Sequence, residues 1–287
     1  MTFGTWQRMT AMSEGMYDGK AIHFAFNVWD FSSAMAVMDA AHEAGQDVTL
    51  QTSVNVFKAL PKKEFRAFVK SYAKRMGISA WLNLDHSRDE KLAREAVGLG
   101  WDSVMIDMSS RPIDENIDAV NRVYEYAHGD GRSALVEAEI GAVQGVEEDI
   151  VSRESKIASK AEIDKFMREA RMDAIAVAFG NAHGIYKAPP ILHYDLVEHV
   201  TRKYPVPFVV HGASGMSDDT IRKLMGIKGV RKINISTDLK FAYRRGVMDA
   251  MDDGLFDESG FQPINVQRCA YDAMKELVLS RMRLLEV

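Results

Sequence analysis

Residues 79–107 read SAWLNLDHSRDEKLAREAVGLGWDSVMID. An apolar run, Ser79–Leu84, gives way to a segment of helical period, Arg88–Leu99, and then to a second apolar run, Ser103–Asp107. Leu92, Ala96 and Leu99 recur at a spacing that puts them on one helix face. Ser87, with Glu90 three residues later, has the spacing of a capping box and predicts where that helix starts. Strand, helix and strand in one stretch make a βαβ unit. Its two strands run parallel, because only a crossover of this length can return the chain to the same end of a sheet.

The same alternation extends in both directions. Further strands are predicted at Ala21–Asn27, Val48–Thr52, Ala134–Ile140, Ala174–Ala178, Pro207–His211 and Lys232–Ile235. Phe31–Ala44 reads as a helix capped by Asp30 and ended by Gly45, and Ser217 caps a helix that starts at Asp218. Eight strands with helices between them predict a (β/α)8 TIM barrel, one domain spanning 1–287. A doubly wound open sheet is the structural competitor. Met1–Gly19 reads as a short capping helix, and about Asn265 to Leu285 as a long final one.

Bulk properties narrow the function. The 287 residues suit a single barrel, with 47% apolar and 27% charged side chains. A net charge of −5 with no basic stripe argues against a nucleic-acid partner. Cys269 is the only cysteine, which rules out an intramolecular disulfide and fits a reducing cytoplasm. Met1–Lys20 has no apolar core of signal-peptide length, and no window approaches a membrane-spanning run.

Residues with chemical potential collect at predicted strand ends. Asp85 and His86 follow the third strand, Asp107 ends the fourth, Glu139 the fifth, His183 follows the sixth, His211 ends the seventh, and Asn234 lies near the end of the eighth. In a barrel those ends share one rim, where active sites are built. Three imidazoles there suit Zn²⁺ with one position left open. His23, His42, His128, His193 and His199 read as ordinary packed or solvated histidines. Strand alternation puts Glu137 and Glu139 on the same side, and an ion pair with Lys or Arg is the competing account of such buried carboxylates. Two loops have the makings of phosphate cradles: His211-Gly212-Ala213-Ser214-Gly215, and Asn234-Ile235-Ser236-Thr237-Asp238 at a helix start.

These motifs carry a resemblance. Ala25-Phe26-Asn27, Leu84-Asp85-His86, Ser103–Asp107, Val136–Gly141, Ala182–Lys187, His211–Gly215 and Lys232–Asp238 resemble, in order, the motifs of class II fructose-bisphosphate and tagatose-bisphosphate aldolases. The resemblance implies reversible zinc-dependent cleavage of a ketose phosphate or bisphosphate into dihydroxyacetone phosphate and an aldehyde. His86, His183 and His211 would hold Zn²⁺, with Asp107 and Glu139 near an alternative zinc position. Asp85 would be the acid and base at the aldehyde oxygen. Glu147, or its neighbour Glu148, would move the proton on the nucleophilic carbon. Asn27, Ser53, Gly184, Lys187, Gly212, Ser214, Asn234, Ser236 and Thr237 would bind substrate and its phosphate. A monovalent cation (Na⁺ or K⁺) near that phosphate and a homodimer or higher homo-oligomer are further family expectations.

The sequence also departs from the family. The Gly-Gly before the loop glutamate is Gln144-Gly145 here, and the Gly-Ser-His after Asp107 is Met108-Ser109-Ser110. The family's Asp-Pro-Arg, whose arginine grips a second phosphate, has no clear counterpart, and Arg111 or Arg268 could substitute. Two other functions compete with the aldolase: a barrel metal-dependent hydrolase and a non-catalytic sugar-phosphate-binding subunit. The first has less use for two phosphate loops, and the second no use for an acid beside a metal.

Overall fold

The computed structural model describes residues 15–17, 21–147, 150–152, 157–184, 186 and 190–286. Its first half runs β1 (His23–Asn27), α1 (Phe31–Glu43), β2 (Val48–Thr52), α2 (Val54–Ala59), α3 (Lys62–Met76), β3 (Ala80–Ser87), α4 (Glu90–Gly98), β4 (Ser103–Ile106), α5 (Ile113–Ala127) and β5 (Leu135–Ile140). Next come β6 (Gln144–Glu147), β7 (Ile150–Ser152), α6 (Lys160–Glu169), β8 (Ala174–Val177) and β9 (Ala182–His183). The chain ends with α7 (Tyr194–Lys203), β10 (Phe208–Val210), α8 (Asp218–Met225), β11 (Val230–Ile235), α9 (Thr237–Asp252), α10 (Pro263–Met282) and a 3₁₀ turn at Arg283–Leu285. Of the expected N-terminal helix, residues 15–17 form a turn and the rest lies outside the described residues.

Eight parallel strands close in the order β1-β11-β10-β8-β5-β4-β3-β2, which removes the open-sheet alternative. Alternation along each strand builds two different interiors. Phe24, Phe26, Leu82, Leu84, Val136, Ala138, Phe208 and Val210 face outward and pack into one apolar core with the helices. Their neighbours Asn83, Ser103, Glu137, Glu139, Lys232 and Asn234 are buried polar residues facing inward. Towards the N-terminal end the interior is plugged by a small apolar group: Met16, Tyr17, Leu135, Ala174, Ala176 and Val209, with Trp81 against them.

Local signals behave as their chemistry requires, with one exception. Asp30 caps α1 in a reciprocal box with Ser33, and Ser217 caps α8. The helix expected directly after Ser87, however, is capped by Asp89, whose side chain accepts from the Lys91 N–H at 2.8 Å. Ser87 belongs to β3, because the register against β4 shifts between Leu84 and Ser87 and His86 takes a φ of 47°. That extra backbone delays the helix by two residues. The long final helix starts at Pro263, a residue suited to a helix's first turn.

A second sheet, which the alternation pattern does not predict, lies beside the barrel strands. β6 pairs antiparallel with β7 and parallel with β9, matching Gly145 to His183. It joins the segment after β5 to the segment after β8. Among the described residues no helix is long and apolar enough to cross a membrane.

Candidate active site

His86, His183 and His211 meet at the C-terminal rim, each offering a nitrogen within 4.8 Å of the others. All three are buried. His86 is aimed inward by its left-handed backbone, His183 is held on β9, and His211 directly follows β10. His86 Nε2 and His211 Nδ1 lie 2.9 Å apart. Two ring nitrogens that close require a proton or a cation between their lone pairs.

The outward nitrogens of two of these rings end on carboxylates. His86 Nδ1 is 3.1 Å from Asp107 Oδ2. His211 Nε2 is 2.7 Å from Glu137 Oε1, and Glu137 Oε2 accepts from Lys232 Nζ at 2.5 Å. A histidine that gives its outer N–H to a carboxylate presents the other nitrogen as a metal ligand. Burial opposes charge on His86, but Asp85, Asp107 and Glu139 outweigh it and raise its pKa to about 10. Burial would raise Asp107 too, yet its bonds to His86 and Ser109 hold its carboxyl well below the usual range. Glu139 goes the other way, raised by burial and by repulsion from Asp107. Its Oε2 and Asp85 Oδ1 are buried with no hydrogen-bond partner. Unsatisfied carboxylate oxygens around converging imidazoles are what a divalent cation relieves.

A small cavity adjoins this cluster. Asn27 and Asp85 line it from β1 and β3, His183 and Gly184 from β9, and His211, Gly212 and Ser214 from the loop after β10. Asn234, Ser236 and Thr237 complete it from β11 and the start of α9. Asn27 Nδ2 donates to Asp85 Oδ2 at 2.9 Å, which fixes the carboxylate. Gly212 has φ 64°, and a Cβ there would stand 2.3 Å from the Ala182 carbonyl oxygen, so only glycine fits. Ser214 Oγ accepts from the Ser236 and Asp238 N–H groups at 3.1 and 3.3 Å, tying the two loops together. Ser236, the N-cap residue of the 16-residue helix α9, makes no side-chain cap of its own, and its Oγ is buried without a hydrogen-bond partner. A helix start beside a glycine turn favours an anion.

The remaining expected residues fall elsewhere. Ser53 is not on this cavity; its hydroxyl caps α2, accepting from Val56 N–H at 3.4 Å. Asp107 and Glu139 stand behind the histidines. Lys187, Glu148 and the side chain of Glu147 lie outside the described residues, although the backbone of Glu147 ends β6. Three residues had no role from the sequence. Asn181 donates to the His211 carbonyl at 2.9 Å and accepts from Phe179 N–H. Tyr186 accepts from Ala182 N–H and donates to the Gly212 carbonyl. Lys232 holds Glu137. Its signal was present: a lysine two residues before Asn234 on a barrel strand faces inward and must find a carboxylate.

Comparison with known proteins agrees with the barrel fold. The model of the family described as fructose-bisphosphate aldolase class II matches residues 7–287. The sulfofructosephosphate aldolase of Alkalicoccus urumqiensis is 31% identical over 231 residues, which are 80% of this chain and 79% of that protein. The YdjI aldolase of Escherichia coli superposes with a TM-score of 0.78 at 28% identity, covering 99% of this chain and 96% of that one. A putative fructose-1,6-bisphosphate aldolase of Coccidioides immitis, at 23% identity and TM-score 0.79, covers 97% and 94% and attests to the shared fold.

Proposed function

The chain belongs to the class II fructose-bisphosphate aldolase family, and from that premise we propose that it cleaves a ketose phosphate reversibly into dihydroxyacetone phosphate and an aldehyde. The observation that carries this reading is a single cavity. It joins two of the three converging imidazoles to Asp85, whose Oδ1 has no hydrogen-bond partner, and to the start of helix α9.

His86, His183 and His211 would hold Zn²⁺, the ion on which this family generally depends. The ion supplies Lewis-acid stabilisation of the negative charge that develops on the ketose oxygens. The chain's own residues do the rest. Gly212, Ser214, Ser236 and Thr237 receive the phosphate, Gly184 lines the same cavity, and Lys187, three residues on in the sequence, and a monovalent cation are further neutralisers. Asp85, steadied by Asn27, takes the proton of the hydroxyl on the carbon beyond the scissile bond. The released O–H electron pair becomes the second bond of the departing aldehyde's carbonyl. The C–C pair passes to the dihydroxyacetone phosphate half, whose carbon then receives a proton from Glu147 or Glu148. Asn234 faces the cavity where the carbonyl and its neighbouring hydroxyl would lie. Ser53 remains a candidate contact for the sugar's far end.

That far end faces different chemistry. The phosphate loops follow β10 and β11, while β3 and β4 lie four strands away in either direction around the barrel. A sugar anchored by its phosphate and crossing the histidines therefore points at the loops after β3 and β4. Arg88 and Arg111 line a cleft there, and neither pairs with another described residue. The substrate named for the 31% identical relative carries a sulfo group besides its phosphate. We therefore favour a ketose 1-phosphate whose other end is free or bears an anion read by these arginines. A panel of ketose 1-phosphates, sulfonated ketose phosphates and 1,6-bisphosphates, assayed for dihydroxyacetone phosphate release, tests both levels. Release by none of them sinks the aldol reading. Unchanged KM for anionic tails in Arg88→Ala and Arg111→Ala sinks only the assignment of the far end.

A further inference from the structure

Lys232 and Glu137 pose a question that burial alone does not answer. Lys232 is 0% exposed, Glu137 is 1% exposed, and they pair at 2.5 Å inside the barrel. Removing two charges from water costs more than their attraction commonly returns, and apolar pairs of similar volume are often as stable or more so. Stability is therefore a weak reason for this pair to exist. The second oxygen of Glu137 supplies a better one, because it sits 2.7 Å from His211 Nε2. The opposite nitrogen of that ring, Nδ1, is the one that approaches His86 Nε2 at 2.9 Å.

Resting on the metal reading above, we propose that Lys232 and Glu137 are positioning residues that lock His211 as its Nε2–H tautomer and present Nδ1 to the ion. Lys232 donates to Glu137 Oε2 and stops the carboxylate from turning. Glu137 Oε1 accepts the Nε2 proton. The Nδ1 lone pair has then only one direction to point. Asn234 competes for the same nitrogen: its Nδ2 lies 3.2 Å from His211 Nε2, while its Oδ1 is buried with no partner. Two donors cannot share that contact. The shorter bond to an ionised acceptor is the stronger one, so Nε2 keeps its proton for Glu137. A half-turn of the Asn234 amide then sets Oδ1 against Nε2–H and frees Nδ2 to donate into the cavity. The relay thus orients a metal ligand and a substrate contact together. His86 is held in the mirrored sense, its Nδ1 on Asp107 and its Nε2 inward.

The test compares wild type with Glu137→Gln, and with the double apolar replacement Glu137→Leu/Lys232→Met, which leaves no unpaired charge if the single variant misfolds. Three readouts are taken on full-length protein: the dissociation constant for Zn²⁺ by chelator competition, the visible spectrum of the Co²⁺-loaded form, and the ¹⁵N signals of the His211 ring without metal. Folded variants are expected to bind Zn²⁺ about 10- to 100-fold more weakly, the range usual for an outer hydrogen-bond partner of a ligating histidine. The Co²⁺ spectrum should change and His211 should show a mixture of tautomers. Folded variants with wild-type affinity and an unchanged His211 tautomer would overturn the relay and leave the pair as packing. A wild-type protein that takes up no ion would overturn the metal reading itself, a different and separable failure.

Discussion

The lower half of the barrel interior and its C-terminal mouth are built from the same strands and are equally buried, yet they treat charge in opposite ways. Glu137 and Glu139 are two residues apart on β5 and face the same side. Burial pushes up the pKa of both. At Glu137 the Lys232 ammonium and the bond to His211 win, and the carboxyl is held at about 2. At Glu139 the His86 charge and a backbone hydrogen bond from Val143 do not offset burial, Asp107 adds repulsion, and Oε2 is left without a hydrogen-bond partner. The histidines invert the same way. Burial and the nearby Lys232 lower His23, in the lower half, to about 3. His86, at the mouth, is raised to about 10. The lower half pairs its charges through Lys232 and Glu137, with one bond passed up to His211. The mouth leaves Glu139 Oε2 and Asp85 Oδ1 without hydrogen-bond partners where three imidazoles converge.

The largest effects should come from breaking the mouth. Replacing His86, His183 or His211 with Ala is expected to abolish cleavage and strip most bound zinc, measured by elemental analysis alongside a dihydroxyacetone phosphate assay. Full zinc occupancy in His211→Ala would show that the unpartnered carboxylate oxygens have another purpose. Asp85 sharpens the point, since its free Oδ1 faces the same cavity while its Oδ2 is tied to Asn27. Asp85→Ala should keep its zinc and lose at least about 10²-fold in turnover, the usual contribution of a positioned acid or base. Near-normal turnover would remove Asp85 from the reaction.

The lower half should respond in stability as well as through the weaker zinc binding expected of the Lys232–Glu137 relay. Lys232→Met alone leaves Glu137 buried opposite an apolar side chain, and losing one partner of a buried pair costs about 3–5 kcal/mol. Denaturant unfolding of the metal-free protein measures this. A loss below about 1 kcal/mol would mean that water or another cation reaches Glu137, contrary to its burial.

The same contrast explains how far the sequence could be read. The mouth was legible because its residues sit next to strand ends, where one residue's position along the chain gives its position in space. His86, His211 and Asp85 needed only the barrel to be brought together. The three-stranded sheet was not legible. Ala182–His183 is too short to alternate, and its partner Gln144–Glu147 lies more than thirty residues earlier, so the pairing leaves no local pattern. The start of α4 was misplaced because Ser87 carries an acceptable capping sequence, while the register shift that keeps it in β3 is a property of the neighbouring strand. Lys232 has no legible role in the sequence, because a lysine reads as solvated until the strand's inward face is known. Glu137 was read with an ion pair as one of two accounts. The structure supplies that pair and adds the bond to His211, which makes the carboxylate more than a neutraliser.

The smallest effect expected is a pH dependence that belongs to the lower half alone. His23 is buried against Tyr17 and Trp81, and its Nε2 has no hydrogen-bond partner among the described residues. Its folded pKa of about 3 lies below the value of about 6.5 for an unfolded histidine. Below pH 6.5 the unfolded chain therefore takes up a proton that the folded protein refuses until about pH 3. Stability attributable to His23 is fully present above the unfolded pKa and declines as pH falls through that window, by at most about 1.4 kcal/mol per pH unit. His23→Gln, which cannot titrate, should unfold with a shallower acid slope than wild type between pH 6.5 and 4, while zinc affinity at pH 7.5 stays the same. Parallel acid slopes in the two proteins would mean that His23 already finds a proton acceptor in the fold. Burial of His23 would then not carry the charge penalty that its contrast with His86 implies.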